Sequence, residues 1–360
     1  MTEPDAVALA PWGWDDAWER QLDALELRAA GEPARVVSQE RDRWMVQSRA
    51  GLLVARLANV SASMPYPVVG DWVVITPGPM PADPHSLLGV LPRRSAFARG
   101  AAGRGTAEQV LAANVDTVWI VHGLDTPPNL RRLERYLAVA WESGAVPEVV
   151  LTKADLVDSP GPAIAGVSAS AAGVRVHVVS VHDAASVDAL RATLAPGRTV
   201  ALLGPSGAGK STLVNRLAGQ ELAATGEVRA TDHKGRHTTT RRALFQVPGG
   251  ALLLDTPGLR ELRIWDLGEG LASAFPDVDA LAAACRFRDC AHEAEPGCAV
   301  RQAVADGQLD EDRLTSFRKL RAEAESEARR SDPLARAAAV ARHKMALKTL
   351  KAHPKYRDRG

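Results

Sequence analysis

Residues 204–212 read GPSGAGKST and match the pattern G-x-x-x-x-G-K-[ST]. Glycines at this spacing let backbone N–H groups turn inward around a phosphate, and a helix starting directly afterwards adds positive potential. The setting agrees: the apolar run TVALL before it reads as a buried strand, and TLVNRLAG after it reads as a helix. Gly204, Pro205, Ser206, Gly207, Ala208 and Gly209 would wrap a β-phosphate. Lys210 would bridge β- and γ-phosphate oxygens and is a candidate catalytic residue. Ser211, followed by Thr212, would place its hydroxyl on Mg2+.

Further along, LLLDTPG (252–258) is a strand running into Asp-x-x-Gly. Asp255 at a strand's carboxyl end can hold Mg2+ through water, and the Gly258 N–H can reach a γ-phosphate. Between these two motifs lies GRHTTTRR (235–242). A threonine there would cap Mg2+ and sense the γ-phosphate, and Thr239 is favoured over Thr238 for that role.

LTKADL, residues 151–156, carries a different chemistry. Asp155 would accept two hydrogen bonds, from the N1–H and exocyclic amine of guanine, while Lys153 lays its aliphatic stem over the base and Ala154 spaces the two. Adenine offers no matching pair of donors, so this carboxylate selects guanine. Thr152 stands where an asparagine would brace the phosphate loop, so a hydroxyl replaces an amide. Downstream, VVSVH ends another strand, and Ser180 with the Val181 N–H can contact the guanine O6.

The base loop precedes the phosphate loop in the chain, the reverse of the usual order. Base loop, Ser-x loop, phosphate loop, Thr loop and Asp-x-x-Gly form the ordinary guanine-nucleotide order rotated cyclically. A parallel sheet places every such loop on one edge, so the site does not depend on where the chain is opened. The rotation leads the Asp-x-x-Gly loop toward the only cysteines, Cys285, Cys290 and Cys298. With His292 they form C-x4-C-x-H-x5-C. Three thiolates and one imidazole complete a tetrahedral Zn2+ set with no open position, which predicts a structural metal.

These motifs need elements to position them. The chain has 360 residues, 46% hydrophobic, enough for two or three domains with real cores. We expect a multi-domain protein. Residues 1–32 read as an arm or short helix with Trp12, Trp14 and Trp18. Residues 33–95 hold five short strand-like runs and predict a five-stranded barrel of oligonucleotide-binding type; a barrel that binds nothing fits the composition equally. Residues 96–273 alternate strands and helices, a circularly permuted α/β phosphate-loop domain, opening on a Gly/Ala/Arg-rich linker at 96–110. Residues 274–360 predict an α-helical zinc-binding subdomain and a helical tail, with Leu334, Ala337, Ala338, Ala341 and Met345 on one face.

Net charge is +1, but from Arg313 onward 14 Lys/Arg face 5 Asp/Glu, a tail of +9 on a body near −8. That asymmetry points to a polyanion partner. No apolar run is long enough for a membrane span, and the N-terminus lacks the basic and apolar regions of a secretory signal. The expected setting is cytoplasmic, without membrane, as a monomer.

In order, AANVD, LRRLERYLAVAWESGA, GPSGAGKST, GRHTTT, DTPG and FRDCAHEAEPGCAV make this chain similar to the RsgA (YjeQ) family of circularly permuted GTPases. The shared motifs span about residues 110–300. The resemblance implies an N-terminal oligonucleotide-binding barrel, a central permuted GTPase and a zinc-bearing C-terminal subdomain. It also implies GTP hydrolysis to GDP stimulated by the small ribosomal subunit and its rRNA, late in that subunit's maturation. Leu259 follows Asp-x-x-Gly and cannot orient water, so slow intrinsic hydrolysis is expected. His237 is a candidate to accept a hydrogen bond from the attacking water, or equally a residue that touches RNA or solvent. An ATP-using enzyme and an RNA-binding module with a regulatory nucleotide site stay open as alternatives.

Overall fold

The computed structural model describes residues 8–25, 27–58, 64–80, 83–100, 108–221, 243–255 and 268–331. Helix α1 (Asp16–Ala24) starts where Asp15 Oδ1 accepts the N–H groups of Ala17 and Trp18. Trp18 and Leu22, one turn apart, are buried with Leu9 and Trp14 against Trp72. Trp14 meets Trp72 edge to face at 4.7 Å, so the arm is pinned to the domain that carries Trp72.

Five strands close on themselves: β1 (Glu32–Glu40), β2 (Arg43–Ser48), β3 (Gly51–Leu57), β4 (Trp72–Thr76) and β5 (His85–Val90). The order is β1-β2-β3-β5-β4, and β1 pairs back onto β4, which makes the expected barrel. Only β3 and β5 run parallel. Alternation along β2 sends Trp44, Val46 and Ser48 inward. A register shift between Val36 and Ser38 interrupts the β1–β2 ladder: residues 32–35 close the barrel on β4, while residues 38–40 stay paired with β2.

Residues expected to be linker form part of a two-stranded ribbon, β6 (Ala96–Gly100) with β7 (Glu108–Ala113). Then come β8 (Thr117–Gly123), α2 (Leu130–Glu142), β9 (Val146–Thr152), α3 (Gly161–Ser170), β10 (Arg175–Val178) and α4 (Ala184–Arg191). After them come β11 (Thr199–Leu203), α5 (Lys210–Ala218), β12 (Ala243–Gln246) and β13 (Leu252–Asp255). These six strands order β10-β9-β8-β11-β13-β12, all parallel except β12. The phosphate-loop strand β11 is central although three strands of its own sheet unit precede it in sequence. Core packs on both faces: Trp119, Val121 and Leu202 with Leu213 and Leu217 on one, Ile120, Leu151 and Leu203 with Leu133 and Leu137 on the other. Ser38 of β1 pairs with Ala243 of β12, which joins barrel and sheet through one strand.

The C-terminal part is helical: α6 (Gly268–Ala274), α7 (Pro276–Ala282), α8 (Ala299–Ala305) and α9 (Glu311–Ser331). Arg313 of α9 locks it to the sheet domain. Its guanidinium bonds both Asp277 oxygens, Glu134 Oε1 at 2.9 Å and the carbonyls of Ser170 and Ala274, over the Phe275 ring. Glu134 is buried, which pushes its carboxyl pKa up, and Ser316 and Arg313 pull against that shift. At Gly270 a Cβ would sit 2.4 Å from the Ala138 carbonyl, so α6 lies directly on α2. The helix expected beyond Asp332 lies outside the described residues.

Candidate functional site

Strand β11 is buried along its whole length and ends in the loop 204–209. Gly204 has φ +144°, and a Cβ there would sit 2.2 Å from the Val121 carbonyl of β8, so the loop crosses its neighbouring strand where no side chain fits. Gly209 is left-handed at φ +84° and opens α5, whose first helical bond runs from Leu213 N to Gly209 O. Ala208 is buried; Pro205 and Ser211 are half-buried; Ser206, Gly207 and Thr212 are exposed. Lys210 is buried, and its Nζ donates to Gly204 O at 2.7 Å and Pro205 O at 2.5 Å. The ammonium is thus folded back over the loop whose phosphate it would meet.

The base loop leaves β9, two strands from β11, and the two loops touch. Thr152 Oγ1 donates to Ala208 O at 2.6 Å, with His122 O a longer alternative at 3.3 Å. A single hydroxyl hydrogen makes one such bond, and the shorter is the better. The threonine therefore braces the phosphate loop as an amide would. Lys153 is left-handed at φ 59°, and the Ala154 N–H bonds Val179 O. Asp155 is exposed, and its Oδ1 accepts the Ser180 hydroxyl at 2.5 Å. That bond first, with Asp155's own N–H and the charge of His182, holds its carboxyl below the usual aspartate range. Ser180 thus meets Asp155 directly, where the sequence pointed to guanine O6 alone. Val181 is half-buried beside it.

Three residues escaped the sequence reading. Asp125 bonds Lys153 Nζ through Oδ2 at 2.7 Å, and this holds the Asp125 carboxyl pKa down. Its position just past the carboxyl end of β8 is the signal that could have found it. Ser186 in the first turn of α4 anchors Ser180, its Oγ accepting from Ser180 N at 3.1 Å. The third, Glu295, belongs to the cysteine–histidine cluster. Asp255 ends β13 on the same sheet edge, paired through the backbone with Ala243. Thr239, His237 and Gly258 lie outside the described residues.

The second constellation is local. One ligand atom each from Cys285, Cys290, His292 and Cys298 falls within 4.8 Å of the others. Cys285 Sγ and Cys298 Sγ lie 3.9 Å apart, and His292 Nδ1 lies 3.7 and 3.5 Å from them. A disulfide needs about 2.05 Å. Ligands about 2.3 Å from a tetrahedral zinc stand roughly 3.8 Å apart, which these spacings fit. His292 takes φ 61° to aim Nδ1 inward. Glu295 fixes the intervening loop by accepting the N–H groups of Ala291, Glu293 and Ala294; its own N–H first, and then these bonds, lower its carboxyl to about 2. Cys298 also caps α8 by accepting from Arg301 N.

The glycine-rich loop after β11 and the loop after β9, tied together on one edge of a cyclically reordered parallel sheet, are arranged as in a circularly permuted P-loop GTPase, here flanked by a closed barrel and a Cys3His cluster. The family model described as RsgA GTPase matches residues 90–265. The small ribosomal subunit biogenesis GTPase RsgA of Opitutus terrae is 47% identical over 351 residues, 92% of this chain and 94% of that one. The protein of the same name from Streptomyces coelicolor is 45% identical over 92% of this chain and 90% of its own. Among solved structures, YjeQ from Thermotoga maritima aligns with TM-score 0.61 at 24% identity, covering 81% of this chain and 98% of that one. YloQ, described as a circularly permuted GTPase, aligns with TM-score 0.61 at 22% identity, over 82% and 95%. These last two show the fold. The chain belongs to the RsgA GTPase family.

Proposed function

We propose that this GTPase is stimulated by the small ribosomal subunit and acts late in that subunit's maturation, as the names of its relatives support. One observation carries the nucleotide reading: the 2.6 Å bond from Thr152 Oγ1 to Ala208 O. It makes the base loop and the phosphate loop parts of one site, so a single nucleotide can be read at both ends.

In this reading Asp155 accepts from the guanine edge, oriented by Ser180, with the Val181 N–H toward O6, and Lys153 covers the base face with Ala154 between them. The loop from Gly204 to Gly209 wraps the phosphates, Lys210 neutralises β- and γ-oxygens, and the Gly258 N–H meets the γ-phosphate. Ser211, Thr239 and Asp255 would hold Mg2+, which supplies charge to the phosphate oxygens when bound, and Thr212 continues the helix start. His237 would accept a hydrogen bond from the attacking water, since Leu259 offers no such group. Cys285, Cys290, His292 and Cys298 would hold one structural Zn2+. The barrel and the +9 tail meet rRNA through its phosphates. The protein works as a cytoplasmic monomer; no helix among the described residues is long and apolar enough to cross a membrane.

The test is GTP turnover with and without purified small subunits, at low and raised salt. Turnover should be slow alone, rise sharply with subunits, and lose that rise as salt increases. Equal turnover with and without subunits contradicts the proposal.

A further inference from the structure

At the opposite end of the sheet from the nucleotide loops lies a polar cavity of about 190 Å3. It sits where the arm, the barrel and the amino ends of β8 and β11 meet, roughly 17 Å of strand from the phosphate loop. Arg35 of β1, Arg94, Arg198, Asp15 and Asp116 all line it. Three guanidiniums face two carboxylates, which leaves the cavity one positive charge in excess.

The excess sits on Arg35. Its side chain is 2% exposed and makes no ion pair among the described residues. Its hydrogen bonds go to neutral oxygens: Trp12 O at 2.7 Å, Asn114 O and Thr199 Oγ1 at 3.1 Å each. Its Nε is buried without a partner. Burial lowers its pKa to about 10, with Asp116 and Asp71 opposing the shift only from a distance. The lining carboxylates are already committed. Asp15 holds Arg94 through both oxygens at 2.6 and 2.7 Å. Asp116 takes Arg198 Nη1 at 2.6 Å and the Thr199 N–H at 2.8 Å. A buried cation without a counter-charge is costly, and a polar cavity beside it is where the counter-charge can come from. The volume falls short of the roughly 300 Å3 at which sites for drug-sized ligands begin.

We propose that this cavity binds one small oxyanion, such as inorganic phosphate or a short carboxylate, between Arg35, Arg94 and Arg198. The occupant joins three parts of the chain, since Arg35 already links the arm at Trp12 with the start of β11 at Thr199. Binding therefore stabilises the folded protein without contacting the nucleotide.

The test uses the full chain with zinc, saturated with GDP and Mg2+ so that the phosphate loop is filled. Phosphate and acetate are titrated separately against chloride at matched ionic strength, and the melting temperature is read. We expect a saturable rise of about 2 °C at tenfold excess over Kd with at least one oxyanion. Which of the two acts tells a phosphate ligand from a carboxylate. Arg35→Met risks the fold, so two exposed positions carry the check. Arg94→Ala should weaken the apparent affinity about tenfold. Arg198→Glu turns the excess from one positive to one negative charge and should abolish the response. No oxyanion response beyond chloride, or an unchanged response in Arg198→Glu, overturns the proposal; water alone then fills the cavity.

Discussion

The nucleotide edge and the cysteine–histidine cluster are assembled by opposite means. The first gathers Thr152, Ser180, Ala208 and Lys210 from separate loops, brought together by strand order in a parallel sheet. The second gathers four ligands within fourteen residues by local turns, a left-handed His292 and a carboxylate that ties three N–H groups. A site made by topology survives the cutting and rejoining of its chain, because only strand adjacency matters. A site made by local turns survives transplantation to any exit of a domain. This chain uses both, and the tolerance of each explains how a permuted domain can end in one that carries a candidate metal cluster.

The contrast can be broken experimentally. The largest effect should come from Cys290→Ser. Losing one ligand of a closed set drops bound zinc from one per chain to none and removes several kcal/mol from the C-terminal helices. Metal analysis and limited proteolysis would show it, while GDP affinity stays within about threefold. A collapse of GDP binding would mean the two sites are not independent. Thr152→Val should leave the Ala208 carbonyl without its donor at a cost of ~1–3 kcal/mol, or about tenfold weaker GDP binding by titration. Zinc content should not change.

Ser180→Ala sharpens the electrostatic side. Asp155 is held low by the Ser180 hydroxyl, so its carboxylate persists below the ordinary aspartate range. In the proposed reading its grip on the base is present above that range and is lost as pH falls through the lowered value. Without the hydroxyl, the acid limb of GDP binding should move up toward the ordinary aspartate range. An unmoved limb would assign it to another group. Asp125→Asn should have the smallest effect, about threefold on GDP affinity at low salt and none at high salt. The Asp125–Lys153 pair is partly exposed, and such pairs are weak and screened.

The same contrast governs how much was legible in the sequence. The four candidate metal ligands are close in the chain, so their spacing alone pointed to them. The nucleotide loops were legible through their cyclic order, but their contacts were not. That Thr152 reaches Ala208, or that Asp125 holds Lys153, depends on strand neighbours the chain does not state. The barrel strands showed as short β-branched or aromatic runs between Gly, Pro, Asn and Asp, although only β2 and β5 alternate in burial, β2 with Trp44 and Val46 inward. The ribbon β6–β7 looked like linker because its glycine- and alanine-rich residues carry little pattern, and pairing supplies the order. Helix α3, GPAIAGVSAS, escaped because its small residues give no apolar stripe. Strand β12 escaped because four residues are too few to show a period.

The central claim is that Asp155 and Lys210 act on one nucleotide. The direct measurement is turnover by Asp155→Asn with GTP and with XTP under identical conditions. An asparagine offers a donor where the xanthine 2-oxo group needs one, so activity at the Lys210 loop should shift from GTP to XTP by at least about tenfold. Undiminished preference for GTP would separate the two loops and contradict the account.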